Sequence, residues 1–288
     1  MFETLYESYL LMIEEFLEKL PWGEDTLSKS MHYSLVGGGK RIRPVLALAA
    51  TECVGGNPSE ILPAAVAIEL IHTYSLIHDD LPAMDNDDYR RGKLANHKVF
   101  GEGYAVLAGD ALLTYAFEIL SSKLQFPAEL QLRVLNEVAL AAGKIGMVGG
   151  QVADLEGEGR PLSLADLENI HKTKTGALLV VAARLGASLS GGNEGQVSAL
   201  TRYAQALGLA FQIKDDILDI EGDSKVLGKA IGSDLKLGKA TYPSLMGLEE
   251  AKKYLHAQIE KALEALKTFG EQGLFLSQLA DYIERRQR

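Results

Sequence analysis

Residues 61–81 read ILPAAVAIELIHTYSLIHDDL, an apolar run that ends in two adjacent aspartates. Apolar residues recur along it at helical spacing, which predicts a helix over about 59–81. Glu69 and His72 interrupt the run, so it falls short of the roughly 18 uninterrupted apolar residues typical of a membrane span. We therefore expect a helix of a soluble protein and no membrane insertion.

The rest of the chain shows the same helical pattern. Leu and Ala, which favour helix, are abundant, and Gly, Asn and Pro separate the apolar runs. Further helices are predicted over about 5–20, 44–54, 101–123, 127–149, 163–171, 174–190, 194–220, 241–268 and 274–285. We find no convincing strand pattern. The sequence predicts an all-α fold, a single large bundle of about ten helices forming one domain over residues 1–288.

Composition excludes several classes of function. The 288 residues include 29 Lys+Arg and 39 Asp+Glu, a net charge of −10, which argues against general nucleic-acid binding. The single cysteine, Cys53, excludes an intramolecular disulfide and a cysteine-based zinc site. The N-terminal segment is acidic, unlike a signal or transit peptide. We expect a soluble, cytoplasmic protein.

Two acidic clusters follow apolar helices directly. The first is HDDLPAMDNDD at 78–88, and the second is DDILD at 215–219. Asp215 and Asp219 lie one turn apart on the same helix face. Asp79 and Asp85 can converge only if the first helix ends near Leu81, where the following proline supplies the break.

The position of these clusters predicts a metal site. Either cluster alone is equally well explained as a solvated helix end. Two clusters at helix C-termini weaken that explanation, because the helix dipole disfavours carboxylates there. Oxygen ligands without a nearby Cys or His set point to Mg²⁺ or Mn²⁺.

Basic residues accompany the acidic clusters. Arg90 and Arg91 follow the first cluster, Lys229 and Lys239 follow the second, and GGGKRIRP at 37–44 forms a separate glycine-rich turn. The turn lacks P-loop spacing and, alone, is most simply a solvated surface turn. Together, the carboxylates and cations predict a ligand carrying diphosphate, whose oxygens divalent ions would bridge to aspartate.

The chain resembles the trans-isoprenyl diphosphate synthases along nearly its whole length, most closely the bacterial members that make a C15 product. SLIHDDLPAMDNDDYRRG and FQIKDDILDIEGD resemble the family's two aspartate-rich motifs. GGGKRIRP, HKTKTG at 171–176, GMVGGQVADL at 146–155, GKAIGSD and KATYP match further motifs in the expected order. The resemblance implies the isoprenoid synthase fold, with the helices around a deep central cavity, and a homodimer.

The resemblance also implies a role for each motif residue. The Mg²⁺ ligands would be Asp79, Asp80, Asp85, Asp215, Asp216 and Asp219, with about three ions per site and Mn²⁺ as the alternative. The allylic diphosphate would contact Arg90, Lys174, Lys229 and Lys239. Isopentenyl diphosphate would contact Lys40, Arg43, His72 and Arg91. Thr175 and Gln212 would direct oxygen dipoles at the reacting carbon, and Gln151 and Asp154 would line the cavity.

The reaction implied is ionisation of the allylic C–O bond, attack by isopentenyl diphosphate and loss of a proton. Tyr74 lies five residues before Asp79, about 7.5 Å along the helix, and an aromatic residue there marks a C15 stop in the family. A C20 synthase is the nearest alternative. A terpene cyclase and an HD-type phosphohydrolase fit the motifs less well, and a silent partner subunit should have lost some of these residues.

The C-terminus ends in Arg285, Arg286, Gln287 and Arg288. This basic segment would either close over the isopentenyl diphosphate site or form a frayed, solvated tail.

Overall fold

A computed structural model describes residues 2–36, 38–221 and 239–287. The chain divides into two compact units. The first unit comprises Glu3–Leu48 and Asn57–Leu135, and the second comprises Ala49–Gly56 and Asn136–Arg288 together with Phe2. The single domain over residues 1–288 stays a prediction.

The described residues are predominantly helical, which confirms the predicted all-α class. The α-helices are α1 (Phe2–Glu18), α2 (Thr26–Leu35), α3 (Ile42–Cys53), α4 (Pro58–Asp79), α5 (Asn96–Phe100), α6 (Glu102–Ser122), α7 (Ala128–Ala142), α8 (Met147–Gly157), α9 (Leu164–His171), α10 (Ala177–Leu189), α11 (Glu194–Glu221), α12 (Tyr242–Met246), α13 (Leu248–Leu266) and α14 (Leu274–Arg285). A π-helix spans Lys172–Gly176 and a 3₁₀ helix spans Lys267–Gly273. Two short antiparallel strands, β1 (Tyr89–Arg90) and β2 (Lys93–Leu94), form a hairpin.

The core of the first unit is built on α4 and α6, which pack along each other. Asn57 caps α4 by accepting a hydrogen bond from the backbone of Ser59, and Pro58 opens the helix. A Cβ at Gly109 of α6 would lie 2.1 Å from Nε2 of His78 on α4. Glycine is therefore required where the two helices approach.

The core of the second unit is built on α11, which packs against α10 and α13. Tyr203 of α11 is fully buried, and its hydroxyl donates a 2.6 Å hydrogen bond to the carbonyl of Leu276 on α14. This bond satisfies the one polar group that the buried ring carries. It fixes α14 against the helix that bears the second aspartate cluster.

Several predicted boundaries are wrong, and glycines explain two of them. The helix predicted over 127–149 ends at Ala142, and a separate helix begins at Met147 after Gly146, whose φ of −117° and ψ of −126° are not helical. The helix predicted over 241–268 breaks at Gly247, whose φ of 84° does not fit a right-handed helix. Helices α2 and α5 and the β1–β2 hairpin were not predicted, because each is short or weakly periodic.

Two helices, α4 and α6, are long and apolar enough to cross a membrane by length and composition. The apolar window of α4 is 67% buried inside the protein and that of α6 is 39% buried. Helices in the core of a soluble protein have the same properties. These two helices therefore do not indicate a membrane protein.

Candidate active site

The first aspartate motif lies where α4 ends. The helix ends at Asp79, within two residues of the predicted break, and Asp80 is its C-cap. The backbone N–H of Asp85 then donates a 2.8 Å hydrogen bond to the carbonyl of Asp79, so the chain folds back on itself. Asn86 allows this turn with a φ of 54°. The backbones of Asp79 and Asp85 thus meet, as the sequence required.

Arg90 pairs directly with this motif. Its Nε donates a 2.9 Å hydrogen bond to Oδ1 of Asp80, and its terminal nitrogen also contacts Asp87 at 3.1 Å. Burial raises the pKa of Asp80, and the hydrogen bond from Arg90 opposes that shift. Arg90 therefore helps to keep a buried carboxylate charged at the end of α4.

The β1–β2 hairpin places Arg91. Its two central residues, Arg91 and Gly92, both have positive φ, at 54° and 76°, as a tight primed turn requires. The guanidinium of Arg91 donates to the carbonyl of Gly38 in the glycine-rich turn. A Cβ at Gly39 would lie 2.8 Å from Cζ of Arg91. The φ of 134° at Gly39 is one that other residues rarely adopt, so the backbone conformation there favours glycine.

A buried charge network supports these basic residues. Glu69 is 1% exposed and accepts a 2.8 Å hydrogen bond from Arg41, and it lies 3.8 Å from Arg91. Arg41 also contacts Glu14 at 2.8 Å and donates to the carbonyl of Leu35 at 2.5 Å. The network fixes Arg41 and orients Arg91.

Positive charge is crowded beside this network, with Glu69 as its nearby carboxylate. Burial lowers the pKa of Arg43 to about 10, and its buried Nε has no hydrogen-bond partner among the described residues. Burial also lowers the pKa of His72, and Arg43 and Arg91 act in the same direction. An incoming anion would stabilise the crowded guanidiniums and would favour the protonated form of His72. The first unit thus brings together the predicted isopentenyl diphosphate residues Arg43, His72 and Arg91.

The second aspartate motif lies on the last turns of α11. Asp216 is 7% exposed and accepts a 2.9 Å hydrogen bond from the backbone N–H of Tyr242. Asp215 accepts a 2.6 Å hydrogen bond from Arg286, whose guanidinium also lies 4.2 Å from the centre of the Phe211 ring. Arg286 is 6% exposed, so the frayed-tail alternative is wrong for this residue.

The π-helix carries Lys174 and Thr175. A Cβ at Gly150 of α8 would lie 2.2 Å from the backbone nitrogen of Lys174, so only glycine permits this contact. The Nζ of Lys174 donates a 2.6 Å hydrogen bond to Asp154, which also lies on α8. Nε2 of Gln151, three residues earlier, is buried without a partner in the described part of the protein. π-Helices often mark functional sites, and this one presents two predicted site residues.

The remaining predicted residues lie on α11, before α3 and before α12. Gln212 is half-buried on α11, and Lys239 is half-buried just before Thr241, the N-cap of α12. Lys40 is half-buried, and its carbonyl accepts a hydrogen bond from Tyr6. Lys229 and the GKAIGSD motif lie outside the described residues.

The carboxylates suit a divalent ion that is shared with substrate. Within the described ranges, no three His, Cys, Asp or Glu side chains are grouped to hold a metal by themselves. Mg²⁺ does not require such a group, because it is commonly held by one or two carboxylates, water and substrate phosphate oxygens. Both motifs offer oxygen donors only, which fits Mg²⁺ or Mn²⁺.

The sequence did not reveal the residues that contact and position the motif residues. Glu14, Arg41 and Glu69 were given no role, although Glu69 is a charged residue within a strongly apolar run and so stood out. Asp154 was expected only to line a cavity, but it pairs with Lys174. Nothing in the sequence pattern indicates that Arg286 contacts Asp215, 71 residues away.

Comparison with known proteins identifies the class to which this fold and these motifs belong. The polyprenyl synthetase family model matches residues 24–274. A farnesyl diphosphate synthase of Geobacillus stearothermophilus is 49% identical over 276 residues, covering 95% of this chain and 93% of the relative. A geranylgeranyl diphosphate synthase of Cyanophora paradoxa is 48% identical, covering 98% and 95%. The crystal structure of an FPP/GFPP synthase from Zymomonas mobilis matches with a TM-score of 0.87 at 39% identity, covering 98% of both chains.

The chain therefore belongs to the polyprenyl synthetase family, and the predicted resemblance is confirmed. It is a prenyltransferase of isoprenoid biosynthesis with the all-α fold of these synthases. Its substrates are prenyl diphosphates, and the family uses a divalent metal. Relatives at nearly equal identity carry C15 and C20 names, so similarity alone does not assign the product length.

Proposed function

We propose that the protein is a farnesyl diphosphate synthase. It would condense isopentenyl diphosphate head-to-tail with dimethylallyl and then geranyl diphosphate, giving (2E,6E)-farnesyl diphosphate and pyrophosphate. The observation that carries the C15 product is the position of Tyr74, a bulky aromatic five residues before Asp79 on α4 and only 7% exposed. A side chain of this size would limit the length of a chain growing past it.

The two motifs supply the metal ligands in this proposal. The ligands would be Asp79, Asp80 and Asp85 of the first motif and Asp215, Asp216 and Asp219 of the second motif. About three Mg²⁺ ions, with Mn²⁺ as a substitute, supply electrostatic stabilisation of the departing diphosphate when bound. Arg90, held at the end of α4, adds a fixed positive charge beside the first motif.

The basic residues divide between the two substrates. The allylic diphosphate is bound by Arg90, Lys174, Lys229 and Lys239. Isopentenyl diphosphate is bound by Lys40, Arg43, His72 and Arg91. The buried Nε of Arg43 has no hydrogen-bond partner among the described residues, and this supports the assignment, since an incoming phosphate oxygen would supply an acceptor.

The chain's own groups then favour ionisation of the allylic substrate. Lysine and arginine stabilise the negative charge that builds on the leaving diphosphate, so the allylic C–O bond breaks. Thr175 and Gln212 direct oxygen dipoles toward the cationic carbon. Binding both substrates makes attack by the isopentenyl double bond effectively intramolecular. The proton lost in the last step goes to the released pyrophosphate.

Two other functions remain distinguishable by experiment. A geranylgeranyl diphosphate synthase is favoured by the Cyanophora relative's name and would release a C20 product. A silent partner subunit would elongate neither primer. Sizing the products made from dimethylallyl and geranyl diphosphate separates all three, and the proposal expects mainly C15 from either primer.

We also propose that the protein is a homodimer. In the first unit, α6 exposes Tyr104 at 48% and Leu107 at 56%, and Leu132 of α7 is 68% exposed. Large apolar side chains exposed on surface helices are typical of a subunit interface. Light scattering should give twice the chain mass of 31.2 kDa, and a stable monomer would contradict the proposal.

A further inference from the structure

The second unit contains a large groove that none of the proposed metal or diphosphate ligands lines. It has a volume of about 1020 Å³ and lies among the π-helix, α10, α11, α13 and the following 3₁₀ helix. We name it the α10–α13 groove. Its volume is at the upper end of the range for pockets that hold small molecules.

The rim of the groove is basic, although the chain as a whole is acidic. Four cations line it against one carboxylate, Glu264, in a protein of net charge −10. The cations are Lys172, Arg202, Lys261 and Lys267. Lys172 pairs with Glu168, and Lys267 pairs with Glu264. Within the described parts of the chain, Lys261 and Arg202 make no ion pair within 4 Å, although Lys261 acts electrostatically on Glu168 and Arg202 donates a 2.9 Å hydrogen bond to Ser198. Both cations can therefore pair with an anion in the groove.

The floor of the groove is apolar apart from one amide. Leu209 and Ala265 are each 7% exposed, and Val180 is half-buried beside them. Gln258 lines the same groove and is 2% exposed. Its amide can donate and accept hydrogen bonds, so it offers a polar contact to a ligand in an otherwise apolar part of the groove.

We propose that the α10–α13 groove is a binding site for an anionic amphiphile with one apolar chain and a phosphate or diphosphate head. The head would pair with Lys261 and Arg202, and the chain would cover Leu209, Val180 and Ala265. The amide of Gln258 would hydrogen-bond to the head or to the oxygen that links it to the chain. This site is separate from the proposed reaction and does not depend on it.

The test is calorimetric titration with decyl phosphate below its micelle concentration, in EDTA so that metal-dependent diphosphate binding is suppressed. One site per chain is expected. The double variant Lys261→Glu/Arg202→Glu should weaken binding at least tenfold. Val180→Trp, which fills the floor while keeping the charges, should weaken it similarly. Lys253→Glu is the matched control on the exposed surface of the same helix and should change the affinity less than twofold.

Four results would overturn the proposal. The first is that decyl phosphate does not bind at all. The second is that it binds the wild type and all these variants equally, because its binding site would then lie elsewhere. Inorganic phosphate would bind as tightly as decyl phosphate, which would indicate an anion patch without a chain site. Binding only to phosphatidylglycerol vesicles would indicate a membrane-facing surface.

Retained prenyltransferase activity in each variant would show that the protein is folded.

Discussion

Arg286 donates a 2.6 Å hydrogen bond to Oδ1 of Asp215, a carboxylate of the second aspartate motif. The guanidinium is 6% exposed, stacks on Phe211 and also donates to that residue's carbonyl at 3.0 Å. An arginine so placed neutralises the carboxylate that the proposed function assigns to a metal ion. Arg286 and a divalent cation would therefore compete for Asp215.

This competition predicts that Arg286→Ala binds Mn²⁺ more tightly than the wild type does. We expect a roughly three- to tenfold lower dissociation constant in the absence of substrate, because about 1 kcal/mol of competing charge-assisted hydrogen bonding is removed. Electron paramagnetic resonance, which detects free Mn²⁺, measures this dissociation constant directly. Arg285→Ala, an exposed neighbour, is the control. Unchanged or weaker Mn²⁺ binding in Arg286→Ala would show that the two cations do not compete.

Glu69 is predicted to act as a positioning residue for the arginines of the first unit. Glu69→Gln removes the charge that contacts Arg41 at 2.8 Å and Arg91 at 3.8 Å. Breaking a buried ion pair costs about 3–5 kcal/mol, so the melting temperature should fall. We also expect the KM for isopentenyl diphosphate to rise about tenfold, with little change in the KM for geranyl diphosphate.

Two further variants distinguish a loss of arginine positioning from a general loss of folded structure. Glu60→Gln, an exposed change on the first turn of the same helix, should leave both KM values unaltered. Glu69→Asp keeps the charge and should recover part of the isopentenyl diphosphate affinity. Equal effects of Glu69→Gln on both substrates would indicate general loss of structure instead.

Much of the fold could be predicted from the sequence because long apolar periodicity dominates it. The run from Ile61 to Leu81 predicted α4, and the proline after it predicted the end of that helix, which the structure confirms within two residues. Short elements carry too little periodicity to be predicted. Helix α2 depends on its cap, Asp25, and the β1–β2 hairpin depends on positive φ at Arg91.

The motif residues could be proposed as site residues from the sequence, but the contacts that support them could not. Adjacent aspartates and a glycine-rich basic turn are visible in the sequence as local patterns. The pairing of Lys174 with Asp154 and of Arg286 with Asp215 joins residues 20 and 71 positions apart. Such contacts are set by tertiary packing, for which one sequence holds no local signal.

Tyr74→Ala is predicted to lengthen the product. The ring is 7% exposed and lies edge-on to the His78 ring at 5.6 Å between centroids, so truncation opens space along α4. We expect C20 or longer chains to exceed C15. Tyr74→Phe keeps the ring, removes only the hydroxyl and should still stop at C15. An unchanged C15 product from Tyr74→Ala would refute the gate.

Acid stability should depend on His171. Burial lowers its pKa to about 4, against 6.5 for the unperturbed group, and its buried Nδ1 has no partner among the described residues. The unfolded chain therefore takes up a proton at a higher pH than the folded one does. The contribution of His171 to the free energy of unfolding is fully present above about pH 6.5. It is lost as the pH falls toward 4, which lowers the free energy of unfolding by roughly 2–3 kcal/mol.

Denaturant unfolding at a series of pH values tests this dependence on His171. His171→Gln should flatten the decline between pH 6.5 and 4. His256→Gln should leave that decline in place, because Glu284 raises the pKa of His256 and so gives it the opposite sign. A wild-type decline that persists unchanged in His171→Gln would assign the acid sensitivity to other groups.

The most direct test of the central claim is the length of the product that the wild-type enzyme releases. The purified protein is incubated with isopentenyl diphosphate, Mg²⁺ and either dimethylallyl or geranyl diphosphate, and the dephosphorylated alcohols are sized. We predict farnesol as the dominant alcohol from both primers. Geranylgeraniol or longer alcohols would contradict the C15 assignment and the role given to Tyr74. No elongation of either primer by folded protein would contradict the synthase itself.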